Sequence, residues 1–110
     1  MNKNRQELYE MQAEIVKSLA HPIRLAIIDF LGSDEKCVCE IAEFVGGERS
    51  NTSKHLAIMS SAGVLEQRKD GLKVFYKVRT PCVGKFLNCV GTMLKEQVKQ
   101  NSKLIELMKG

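Results

Sequence analysis

The stretch from Ser50 to Val78 constrains this chain more than any other: a helix with one polar side, a glycine stop, then a basic two-stranded ribbon. Leu56, Met59 and, one turn on, Gly63 and Val64 recur at three-to-four spacing, while Ser50, Asn51, Ser53, Lys54 and Ala57 lie elsewhere around the axis. Gly63 ends the helix because it accepts a left-handed backbone that other residues resist. Val64 to Arg68 and Lys73 to Val78 carry strand-type residues on either side of Asp70-Gly71, a strong short-range hairpin signal. The plan is that of a winged helix-turn-helix, and double-stranded DNA is its first candidate partner.

The rest of the chain reads as helices around that unit. Leu8, Met11, Ile15 and Leu19 form a stripe from about Arg5 to Ser18. His21-Pro22 breaks it and opens a second helix in which Leu25, Ile28 and Leu31 face one way, closed by Gly32-Ser33-Asp34. A short third helix spans about Val38 to Val45, with Ile41 and Phe44 or Val45 inward and a turn at Gly46-Gly47. Pro81 starts a long helix to about Met108 that Gly84 and Gly91 weaken without interrupting. The expected class is mostly α with a small antiparallel β hairpin, one domain over residues 1–110. Within it, 1–20 and 81–108 are dimerisation helices and 22–79 the helix-turn-helix and wing. The dimer follows from two adjacent apolar stripes on the last helix, Val83, Leu87, Val90, Leu94 and Cys82, Phe86, Cys89, Met93; the alternative is a wide core-facing surface in a monomer.

Charge is uneven along the chain. The formal balance is −3 over residues 1–46, +4 over 47–79 and +3 over 80–110, so the excess gathers in the helix-ribbon block and the last helix. With few aromatics and no Trp, a single-strand stacking surface is disfavoured. Two histidines form no nucleophile-base constellation and no phosphate-cradling glycine loop occurs, which argues against an enzyme. Neither a secretory signal nor a membrane span is visible, so the expected compartment is the cytoplasm, with the four cysteines held as thiols.

Three segments, Lys17-Ser-Leu-Ala-His-Pro-Ile-Arg-Leu25, Cys37-Val-Cys-Glu-Ile-Ala42, and Ser50 through Tyr76 with Ser53-Lys-His-Leu56 and Ser61-Ala-Gly-Val64, resemble the ArsR/SmtB family of repressors. The resemblance implies a dimeric winged-helix repressor released from its operator when an inducer binds. Its DNA contacts would come from the start of the reading helix, where Arg49, Ser50, Asn51, Thr52, Ser53 and His55 are the candidates. Arg49 suits guanine and Asn51 adenine, whereas Ser50 is equally a helix cap and His55 equally a partly buried side chain. Arg68, Lys69 and Lys73 at the ribbon tip would grip phosphates. No cofactor is required for DNA binding in this scheme.

Cys37 and Cys39 open the third helix. In a finished helix they would point about 200° apart, so convergence on one ion requires an irregular first turn. A helix start and nearby Lys36 favour thiolates, and thiolates select soft ions over Mg(II) or Ca(II). The resemblance adds As(III) and Sb(III) to Cd(II) and other soft metals as inducers. The fullest arsenite pattern has a third cysteine where this chain has Ala42, so further sulfur would come from Cys82 or Cys89. A zinc or nickel site on the last helix lacks ligands, since its carboxylates are Glu96 and Glu106 and it has no His. Two other readings stand beside metalloid sensing: a disulfide joining Cys37 or Cys39 to Cys82 or Cys89, and a DNA-binding protein whose cysteines only pack.

Overall fold

The computed structural model describes residues 1–109. It contains α1 (Lys3–Lys17), α2 (Pro22–Leu31), β1 (Lys36–Cys37), α3 (Val38–Val45), α4 (Arg49–Ser61), β2 (Leu65–Asp70), β3 (Lys73–Val78) and α5 (Cys82–Lys109). The expected helices are all present, with α1 starting two residues earlier than its apolar stripe suggests because Asn2 caps it, Oδ1 accepting from the Arg5 amide at 2.9 Å.

Side chains from α2, α3, α4 and the sheet close one core. Ile27, Leu31, Ile41, Leu56, Met59 and Leu65 are its fully enclosed members, and burial of each contributes roughly 1.5–3 kcal/mol. On α2 the inward face runs through Ile27, Ile28 and Leu31; Leu25, expected inside, is exposed. The reason is phase: Ile27 and Leu31 are four apart, and with Ile28 they already complete the stripe.

The expected two-stranded ribbon is a three-stranded antiparallel sheet in the order β1-β3-β2. The unforeseen strand β1 pairs Lys36 with Tyr76 and Cys37 with Phe75, so the backbone just ahead of α3 is stitched to the wing. The β2–β3 register, Leu65 with Val78 through Asp70 with Lys73, leaves Gly71-Leu72 as a two-residue turn. Gly71 has φ 63° and no other type of residue has positive φ, which fits the turn with glycine first that hairpin twist favours. Between α4 and the wing the chain turns at Gly63 (φ 82°), and the Val64 amide bonds back to the Met59 carbonyl at 2.9 Å, a Schellman closure.

Two elements stand outside this core. Neither α1 nor α5 contains a buried residue; α5 touches the body through half-buried Val83 and Leu87. The radius of gyration is 17.8 Å, against about 13 Å for a compact chain of this length. No helix among the described residues is long and apolar enough to cross a membrane.

Candidate nucleic-acid interface and cysteine pair

The reading helix α4 starts at Arg49, with Glu48 as its N-cap residue and no side chain capping its first amides. Ser50, for which sequence left a helix cap and a DNA contact equally open, is an exposed first-turn residue and not the cap. Open amides at a helix start attract anions such as phosphate. Arg49, Ser50, Asn51, Ser53 and Lys54 are all exposed there, so the candidate base-reading and phosphate-binding groups share one solvent face.

Thr52 and His55 do not belong to that face. Thr52 is 1 % exposed, and its hydroxyl donates to the Glu48 carbonyl at 3.1 Å. His55 is 8 % exposed; its Nδ1 accepts from Arg24 Nε at 3.0 Å, and its ring lies 4.4 Å from that of His21. Arg24 also donates through Nη1 to the Ser18 carbonyl at 3.3 Å. Burial, then the neighbouring His21 and Arg24, push the His55 pKa down, which keeps the imidazole neutral as an acceptor. Both residues anchor α4 and are withdrawn as DNA contacts. The helical period carried the warning: Thr52, His55, Leu56 and Met59 fall on one stripe, whose first members are polar.

The wing cations are not equivalent. Arg68 is held by Glu35 in a forked pair, Nη2 to Oε1 at 2.7 Å and Nε to Oε2 at 3.2 Å, and lies 4.8 Å over the Phe75 ring. Glu35 is consequently held below the usual carboxylate range by Arg68. Lys69 and Lys73 are exposed and make no ion pair within 4.0 Å among the described residues. The tip between them is Leu72, fully exposed at 105 % and not singled out from sequence; an apolar residue directly after the turn glycine was the available signal.

The cysteines converge because Cys37 precedes the helix. Its backbone is extended (φ −79°, ψ 159°), which swings its sulfur to 3.0 Å from the Cys39 sulfur. The Cys37 amide donates to Glu40 Oε1 at 3.3 Å, fixing the start of α3. The pair is asymmetric. Cys37 is buried and its thiol pKa is raised, chiefly by the hydrogen bond with Cys39. Cys39 is exposed and its thiol pKa is lowered, first by Cys37 and then by Arg49. Thus Arg49, the first residue of α4, supplies the positive charge; Lys36, expected in that role, sits 4.8 Å over the Phe30 ring. Cys82 and Cys89, expected in an apolar stripe, are exposed on α5. Among the described residues no three Cys, His, Asp or Glu side chains are grouped to hold a metal ion.

Residues 21–67 match the family model described as bacterial regulatory protein, arsR family. The HTH-type transcriptional regulator Rv0081 of Mycobacterium tuberculosis is 32% identical over 100 residues, spanning 90% of this chain and 88% of that protein. The chain belongs to the ArsR family. Its fold agrees: the crystal structure of Rv0081 superposes with a TM-score of 0.76 at 33% identity, covering 86% of this chain and 95% of that one. A homodimeric winged helix-turn-helix DNA-binding domain, Mb0332 from Mycobacterium bovis, gives 0.80 at 26% identity, with 91% and 93% covered. The biofilm growth-associated repressor of Xylella fastidiosa is 27% identical over 88 residues, 80% of this chain and 77% of that protein. This ArsR-family chain is therefore a winged helix-turn-helix transcriptional regulator.

Proposed function

We propose that the chain is a homodimeric repressor that holds operator DNA while Cys37 and Cys39 are free thiols and releases it when a soft, thiol-seeking agent engages them. One observation carries the reading: the dithiol lies at the junction of both candidate DNA-contacting elements. Cys37 is backbone-paired with Phe75 of the wing, and Arg49 of the reading helix helps lower the Cys39 thiol pKa. Drawing the two sulfurs onto one ion shifts the edge of the wing and moves the Cys39 sulfur relative to Arg49. A coupling of about 1–3 kcal/mol, roughly 5–150-fold in affinity, suffices for derepression. Repression itself is supported by the likeness to the Xylella repressor, and the dimer by the Mycobacterium bovis domain together with the exposed stripes of α1 and α5.

Two sulfurs 3.0 Å apart, with no group of three metal-holding side chains among the described residues, suit As(III) or Sb(III) better than an ion that demands four ligands, such as tetrahedral Zn(II). Arsenous acid and two thiols give the dithiolate and two waters, with no change of oxidation state. Cd(II) would need further donors, from Cys82 or Cys89 of a partner copy or from solvent. The same short separation favours a second reading, in which a peroxide takes two electrons and two protons from the pair, forming a Cys37–Cys39 disulfide while an organic hydroperoxide is reduced to an alcohol and water, or hydrogen peroxide to two waters.

The test uses a duplex selected by the wild-type protein from a random library. Arsenite, Cd(II) and peroxide are each titrated against the bound complex. Wild-type affinity is expected to fall within the range above, Cys37→Ser with Cys39→Ser to bind without responding, and Cys82→Ser with Cys89→Ser to respond to arsenite like the wild type. A response that survives loss of Cys37 and Cys39 overturns the sensor; wild-type indifference to all three agents leaves a constitutive DNA-binding protein.

A further inference from the structure

We infer that Leu72 is a minor-groove wedge: an apolar tip, steered by Lys69 and Lys73, that inserts between base steps beside each half-site. The inference rests on the DNA-binding reading. Gly71 supplies the positive φ that the turn needs, so position 72 is free to be polar, as turn residues commonly are. Leucine there does nothing for the fold, since its side chain is fully exposed.

The tip is held stiffly. Six residue pairs link β2 to β3, β1 pairs with the other edge of β3, and Arg68 is forked onto Glu35. An apolar side chain presented by a rigid ribbon, with unpaired lysines one residue after it and three before it, needs a partner that is anionic at its rim and apolar within. The minor groove offers this, with phosphates on either edge of a slot about 6 Å wide whose walls are sugar and base edge. A lipid surface is the poorer match, because stable membrane anchoring takes far more apolar area than one leucine.

The consequence is sequence preference at positions the reading helix never touches. Inserted apolar side chains unstack a base step and bend the duplex, and pyrimidine–purine steps yield most readily.

The measurement pairs Leu72→Asn, which suits the turn, with Leu72→Met, which keeps an apolar tip. Both are assayed on the duplex selected by the wild type, by anisotropy for affinity and by end-to-end energy transfer for bending. The wild type and Leu72→Met are expected to bend the duplex; Leu72→Asn should lose most of the bend and about tenfold in affinity, with an unchanged salt slope and thermal midpoint. Equal affinity and bend for Leu72→Asn overturn the wedge while leaving DNA binding intact. Binding of the wild type to anionic vesicles, abolished in Leu72→Asn with DNA binding unaltered, overturns it in favour of a membrane. If the wild type selects no duplex at all, the DNA-binding reading falls and the wedge with it.

Discussion

His55 shows how a single side chain divides between fold and function. Buried and accepting a hydrogen bond from Arg24, it is favoured neutral in the folded chain, so its pKa lies below the unfolded value of about 6.5. The unfolded chain then binds the extra proton as pH falls. Its contribution is complete above pH 6.5, declines through the interval down to the folded pKa, and is gone below it. Urea unfolding from pH 7.5 to 5 should show a falling midpoint for the wild type and a flatter profile for His55→Gln, which keeps an acceptor for Arg24 but cannot titrate. Parallel profiles would remove His55 as the source. The sequence revealed that Ser50 to Ser61 is a helix, because Leu56 and Met59 mark its phase; it concealed the roles of Thr52 and His55, because a polar side chain at a helix start ordinarily faces solvent. A hydroxyl satisfied by its own helix and an imidazole satisfied by an arginine 31 residues away can both be buried at little cost.

At the scale of elements, the wing carries two kinds of cation. The Arg68–Glu35 pair is about half exposed on the arginine side, so solvent screens it and it adds little to stability, while its charge is already compensated. Lys69→Ala or Lys73→Ala should each lower the salt slope of DNA binding by about one, and Arg68→Ala should leave that slope nearly unchanged. Anisotropy titrations from 50 to 200 mM salt, on the order used for such slopes, distinguish them. Equal slope losses for all three would show that Glu35 releases Arg68 on DNA. The strand that creates this arrangement, β1, was not legible in the sequence. Two residues carry no periodicity, and Lys36-Cys37 is extended only because β3 offers it an edge. The hairpin was legible because Gly71 between two strand-type runs marks a turn locally, although the turn pair is Gly71-Leu72 and Asp70 is the last rung of the ladder.

For the whole molecule, the exposed stripes of α1 and α5 make assembly the central quantity. A 28-residue α5 with no buried residue, packed on the body only near its start, projects apolar Val90, Met93, Leu94 and Val98 into solvent unless another chain covers them. Leu94→Glu should convert a particle of twice 12.4 kDa into one of 12.4 kDa in sedimentation equilibrium, with far-UV circular dichroism little changed because Leu94 makes no part of the chain's own core. DNA affinity should fall by more than about tenfold, since two half-sites are no longer read together. A variant that stays dimeric would place the interface elsewhere. The long helix itself was predictable from its apolar spacing, whereas the thinness of its attachment was not, because spacing says which face is apolar and not what lies against it.

The two-residue strand has a consequence for how such a regulator can diversify. Cys37 is simultaneously a rung of the wing sheet and one arm of the dithiol, and Cys39 answers to the same arginine that begins the reading helix. On the proposed sensor reading, substitutions that retune inducer preference at this spot would alter operator affinity as well. Under that reading the two traits are pleiotropic, and selection on either one would drag the other with it.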